Sequence, residues 1–144
     1  MSEELFLGGK VRKQSLPLLE VPTGPDAPAL KRLNLAQGQL AQLSPPGIGF
    51  HYLAWIELKE GLARGNHYHY HKQEWFYLID GEAELTVEDP GSEERRVVTL
   101  VTGDLVVIET GVAHALRTVR SGQGIEFSPA PYDPDDTIPY ALVP

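Results

Sequence analysis

Three of the chain's five histidines, His67, His69 and His71, fall within five residues of one another. Along an extended strand, side chains at i, i+2 and i+4 point to one face. Two imidazoles set side by side on such a face offer neutral nitrogen donors to a divalent metal. Glu74 differs in parity from His69, so one continuous strand would turn it away. A tight bend at about Tyr70–Gln73 lets Glu74 start the next strand and face the same cavity. That bend puts His71 in the turn and off the metal. His114 opens a later strand, just after a turn at Gly111. Three imidazoles and one carboxylate with open positions suit Fe(II), Mn(II), Ni(II) or Zn(II), and residue types alone do not choose among them.

The rest of the composition narrows the chemistry. The chain has 144 residues and no cysteine. That excludes a disulfide framework, a thiolate zinc site, an Fe–S cluster and a cysteine nucleophile. Twelve Lys and Arg against 20 Asp and Glu give a net charge of −8, which argues against nucleic-acid or anionic-membrane partners. With 42% hydrophobic and 22% charged residues the chain reads as globular. No apolar run approaches ~18 residues. The acidic start MSEELFLGGK is not a signal peptide. The expectation is a cytoplasmic protein with one domain over residues 1–144.

The elements that must position these residues read as strands. Residues 1–47 mix leucines with proline-rich stretches, which suits loop and edge strand. LKRLNLAQGQLAQL reads as two short strands around Gly38. The body, residues 48–128, alternates strands and turns. FHYLAWIEL, EWFYLI, EAELTVE, ERRVVTLV, LVVI, AHALRTVR and IEFS are the strand stretches. Asp80-Gly81 signals a hairpin, and SGQG breaks the pattern before the last strand. The proline-rich residues 129–144 read as an ordered cover. Short strands with glycine at the turns and no helix predict an all-β sandwich or barrel. His51 reads as a wall histidine, and Trp55, Trp75 and Phe76 as core or dimer interface.

Gly61-x5-His67-x-His69-x4-Glu74-x6-Gly81 resembles the first motif of the cupin superfamily at every defining position. Gly103-x5-Glu109-x-Gly111-x2-His114-x3-Thr118 resembles the second, with Glu109 where proline is usual and Thr118 where asparagine is usual. The segment between them, Glu82 to Thr102, is 21 residues long and within the family's range. The resemblance implies a double-stranded β-helix, or jelly roll, with His67, His69, Glu74 and His114 as ligands of one divalent metal. Arg64-Gly65-Asn66-His67-Tyr68-His69, with Lys72 and Glu74-Trp75-Phe76 beyond it, is similar to the cupin domain of capsular polysaccharide assembling proteins. FHYLAWIELKEG and YDPDDTIPY look like sugar-modifying cupins, including nucleotide-sugar ketoisomerases and epimerases.

This second likeness implies an isomerase or epimerase that removes a proton beside the carbonyl of a keto sugar or nucleotide sugar. Such a step needs a base and a positive group at the developing oxyanion. A metal on the four ligands would be that group, whereas in metal-free relatives the histidines themselves serve as acid and base. Tyr70, Tyr77 and His71 are candidate proton-transfer residues, with Tyr68 a further tyrosine in the same stretch. Arg64 and Lys72 are candidates for holding phosphate oxygens. The alternatives are an Fe(II)-dependent dioxygenase on a small organic molecule and a non-catalytic binding barrel. A homodimer is expected, since open jelly rolls leave edge strands that need cover.

Overall fold

The computed structural model describes residues 3–144. Its frame is a pair of 16-residue strands, β8 (Glu74–Asp89) and β11 (Ala113–Ser128). They run antiparallel from Ala113 opposite Glu88 to Phe127 opposite Trp75. Each takes different partners along its two halves within one nine-stranded sheet. The first half of β8 pairs with β10 (Asp104–Ile108), which pairs with β2 (Val11–Ser15) and through it with β1 (Glu3–Phe6). The late part of β11 takes β6 (Tyr52–Leu58) on its other side. The second half of β8 pairs with β9 (Glu94–Val101). The early part of β11 pairs with β7 (Ala63–Tyr68), and β12 (Ile138–Pro139) closes onto β7. The result is an antiparallel jelly roll. Three N-terminal strands, β3 (Leu18–Glu20), β4 (Lys31–Leu35) and β5 (Gly38–Gln42), make a separate small sheet. The expected strand pair around Gly38 is the β4–β5 hairpin, with Leu35 opposite Gly38.

The expected hairpin at Asp80-Gly81 does not form. The chain runs through it as the bend of β8, and Ser121-Gly122-Gln123-Gly124 is likewise the bend of β11, not a break. The reason is close approach of backbones. A Cβ on Gly122 would lie 1.7 Å from the Asp80 carbonyl oxygen, and Gly81 has φ 125° beside the Arg120 carbonyl. Register shifts collect here, between Thr118 and Gly124. Glycine at these crossing points lets two strands turn a corner together.

Alternation sorts the side chains. Phe76 and Leu78 of β8, with Val106 and Ile108 of β10, face the barrel interior among Ile56, Leu85 and Leu100. Trp75 and Tyr77, with Leu105, Val107 and Phe127, face outward. That outer face is covered by Leu16, Leu30, Leu43 and Phe50 from the N-terminal segment. Two-sided cover explains why β8 and β10 read as nearly continuous apolar runs. The last residues lie against β7: β12 pairs with His67 and Tyr68, and Asn66 Oδ1 accepts from the Leu142 and Val143 amides. Among the described residues no helix is long and apolar enough to cross a membrane.

Candidate functional site

His67 sits near the end of β7, directly opposite His114 at the start of β11. A register shift lies beside this pair, and Gly65 (φ 97°) and Asn66 (φ 60°) take up the irregular backbone. A Cβ on Gly65 would be 2.7 Å from the His114 carbonyl oxygen, so the two histidine strands meet only because position 65 is bare. β7 ends at Tyr68, the chain bends at Tyr70 and His71, and β8 begins at Glu74. This bend corrects the parity of Glu74 as expected. The Gly111 amide donates to the His69 carbonyl at 2.7 Å and ties the bend to the turn before His114. Glu109, the departure from the usual proline, accepts from Gln73 Nε2 at 2.9 and 3.0 Å and from Arg12 Nη1 at 2.7 Å.

The structure brings His67, His69, Glu74 and His114 together, with one donor atom from each lying within 4.8 Å of the others. His69, Glu74 and His114 are 6%, 9% and 5% exposed. His69 Nδ1 lies 2.6 Å from the Asp136 carbonyl oxygen, and His114 Nδ1 lies 3.0 Å from that of Val112. A carbonyl can only accept, so both Nδ1 atoms carry the proton, and in the neutral rings the Nε2 lone pairs are free. Both Nε2 atoms are buried without a hydrogen-bond partner. They stand 3.7 and 3.3 Å from the Glu74 carboxylate oxygens. Buried acceptors are seldom left unpaired. Donors on one divalent ion at about 2.0–2.2 Å stand roughly 3–4 Å apart. The cluster fits such an ion after a small contraction.

Within the cluster, opposite charges hold each other. Burial opposes charge on both His114 and Glu74. Their mutual attraction prevails, holding His114 above and Glu74 well below their usual ranges. His67 is pushed down to about 4 by burial and by the neighbouring His114 and His69. It stays neutral, as a ligand must.

The cluster opens into a cavity of about 290 Å³. Ile56, Phe76, Leu85, Val106, Ile108 and Leu116 give it an apolar floor. Tyr52, Arg64, Lys72, Glu126, Tyr132 and Thr137 supply further wall. Lys72 reaches inward, not toward solvent. Its Nζ is 2.5 Å from Glu126 Oε1, 3.6 Å from Glu74 Oε1 and 4.4 Å from the centre of the Tyr52 ring. An ammonium held by two carboxylates is not a free phosphate anchor, so the expected role of Lys72 needs revision. Arg64 does line the cavity, with Nη1 3.3 Å from the Glu57 carbonyl. Burial and the charge of Glu74 push Glu126 up to about 7.

The three candidate proton-transfer residues lie elsewhere. Tyr77 points to the outer core among Leu16, Trp75 and Leu105, on the other face of β8 from Phe76. Tyr70 is exposed in the bend, its hydroxyl 3.3 Å from that of Tyr68, and His71 is exposed beside it. Sequence reasoning missed Tyr52, Glu126, Tyr132 and Asp136. Parity along IEFS would have turned Glu126 and Ser128 to one face, but its depth in the barrel depends on the bend in β11.

An antiparallel jelly roll with three imidazoles and a carboxylate facing an interior cavity defines the class of this protein. The family model described as Cupin domain matches residues 54–125, half of the chain, and the chain belongs to the cupin family. No curated protein matches it significantly. Its fold resembles a 3,4-ketoisomerase from Helicobacter canadensis at 16% identity and TM-score 0.67, covering 76% of this chain and 86% of that one. It also resembles a dTDP-6-deoxy-D-glucose-3,5-epimerase from Legionella pneumophila, solved with dTDP-4-keto-L-rhamnose, at 14% identity and TM-score 0.71, covering 94% and 75%. A dTDP-4-dehydrorhamnose 3,5-epimerase from Sulfolobus tokodaii gives 15% identity and TM-score 0.70, covering 95% and 81%.

Proposed function

We propose that this cupin binds one divalent metal through His67, His69, Glu74 and His114, and acts as an isomerase or epimerase on a keto sugar. The observation that carries the reading is the pair of buried, unpaired Nε2 atoms facing Glu74 at the cavity wall. The bound ion, Fe, Mn, Ni or Zn, would supply positive charge where an oxyanion develops. Of the two carboxylates lining the cavity, Glu126 is the one outside the ligand set. It takes the proton from the carbon beside the carbonyl and returns it to carbon, while Lys72 holds the carboxylate in place. The cavity accommodates one small ring. If the sugar is nucleotide-linked, as in the structural neighbours, the nucleotide lies outside, toward Arg64 and the stacked Tyr52 and Tyr132 rings. We place the protein in the cytoplasm as a homodimer.

The test has two parts. Elemental analysis of the purified protein should find one divalent ion per chain. Keto-sugar nucleotides incubated with it in D2O should gain deuterium next to the carbonyl. No ion, and none taken up on adding Fe, Mn, Ni or Zn, overturns the metal assignment. No exchange across a substrate panel overturns the sugar assignment. The apolar floor favours a second reading, an Fe(II)-dependent dioxygenase or plain binder of a small organic molecule. Oxygen uptake in the presence of Fe(II) and small keto acids, without deuterium exchange, would decide for the dioxygenase.

A further inference from the structure

We infer that Asp136 is a positioning residue for the metal centre, and that the strap carrying it, residues 130–140, is energetically coupled to the bound ion. This rests on the metal reading above.

Asp136 lies 67 positions from His69 in sequence, yet it grips both the ring and the backbone of the ligand segment. Its carbonyl oxygen receives the His69 Nδ1 proton at 2.6 Å, which fixes the tautomer and aims Nε2 at the cluster. Its carboxylate receives the two amides of the bend, Tyr70 N on Oδ1 at 2.8 Å and His71 N on Oδ2 at 3.1 Å. The side chain is therefore fully used, and Asp136 is only 6% exposed despite its charge. Nothing else in the acidic run Asp133–Asp136 reaches the cluster: Asp133 and Asp135 are exposed.

The strap is more than a prop. Tyr132 and Thr137 line the cavity on either side of Asp136, and Tyr132 stacks on Tyr52 across it. Ile138 and Pro139 then pair with Tyr68 and His67. One short segment thus touches His69 through Asp136, runs beside His67, and forms part of the substrate wall. A metal on Nε2 makes the Nδ1 proton a stronger donor, which tightens the hold on the Asp136 carbonyl. Linkage is reciprocal: whatever the docked strap adds to metal affinity, the bound metal adds to strap docking.

The experiment is titration of Mn(II) or Co(II) into metal-stripped full-length protein, with melting of each metal-free variant measured alongside. Outer partners of a ligating histidine are worth about 10–100-fold in metal affinity. Asp136→Ala keeps the carbonyl that binds His69 but removes the carboxylate that pins it to the bend, and should lose up to that much, while Asp136→Asn, which keeps an acceptor for the Tyr70 amide, should lose less. Asp135→Ala removes an exposed neighbouring carboxylate that does not reach the cluster, and should bind metal like the wild type. In wild-type protein, Co(II) should slow amide hydrogen exchange across residues 130–140. Equal affinity in Asp136→Ala and wild type would overturn the coupling, as would equal losses in Asp136→Ala and Asp135→Ala. If Asp136→Ala does not fold, the exchange measurement decides, and unchanged protection of the strap on Co(II) binding overturns the inference. A wild type that binds no ion overturns the metal reading itself and the coupling with it.

Discussion

Replacing Lys72 by methionine removes the one charge that holds two buried carboxylates together. The ammonium lies 2.5 Å from Glu126 and 3.6 Å from Glu74, and the three side chains are 11%, 18% and 12% exposed. Methionine keeps most of the apolar stem, so packing changes little. Breaking a buried pair by deleting one partner costs about 3–5 kcal/mol, because the other charge is left uncompensated. The contact over the Tyr52 ring adds about 0.5–2 kcal/mol to that loss. Urea unfolding of the metal-free protein at pH 8 should show a loss in this range. The loss should also depend on pH. Glu126 already titrates at about 7 in the fold against a usual 4.5, raised first by burial and then by Glu74. A carboxyl raised in this way penalises the fold above its folded pKa and stops doing so below its unfolded one. Lys72 holds the value down, so its removal lifts it further. The deficit of Lys72→Met should therefore shrink as pH falls from 8 toward 5 and Glu126 takes up a proton. Adding Glu126→Gln should recover part of the loss at pH 8, with a coupling of roughly 1–3 kcal/mol. A loss below about 1 kcal/mol, the range of an exposed ion pair, or strictly additive variants would refute the buried triad.

His69→Ala should abolish stoichiometric metal in elemental analysis, whereas His71→Ala, altered only in the exposed bend, should keep it. Gly122→Ala should leave little folded protein by circular dichroism, since its Cβ would fall 1.7 Å from the Asp80 oxygen. Gly111→Ala has open space around its Cβ and only a positive φ to strain, so it should cost about 1–3 kcal/mol. Sedimentation at micromolar concentration should give a homodimer; Leu53 and Trp55, 76% and 63% exposed on β6, make Trp55→Arg the variant to shift it toward monomer.

The chemistry of the cluster was legible because it is written in local spacing. His67 and His69 differ by two, Glu74 follows a bend, and His114 follows a turn. Each of these is a short-range property of strands. The strand inventory was legible for the same reason. What failed were positions where distant segments decide. Asp80-Gly81 carries the signature of a hairpin, but the crossing of β11 over β8 uses it as a corner. Tyr77 has the right chemistry for proton transfer, yet the pleat that turns Glu74 and Phe76 inward sends it to the outer core. Lys72 looked like a phosphate ligand because its partner Glu126 lies 54 residues away. Asp136 lies within YDPDDTIPY, yet nothing in that stretch singles it out, since its contact to His69 runs through the backbone carbonyl.

Charge in the cavity bears on what it can admit. Two carboxylates, the Lys72 ammonium and the Arg64 guanidinium line it, so with neutral imidazoles and both carboxylates ionised it carries no net charge. Without a cation the cluster draws a proton instead, which is why His114 is held up and Glu74 down. Proton and metal therefore compete for one place, so metal affinity should fall as pH drops. A divalent ion makes the cavity net positive. The chain's overall charge of −8 repels an anion at long range, but salt screens that field within about 8 Å. Inside the apolar floor of Ile56, Phe76 and Val106 screening is weak, so the local sign governs. An oxyanion developing there would be stabilised whatever the sign of the surface, so a net charge of −8 does not exclude an anionic substrate once the ion is bound.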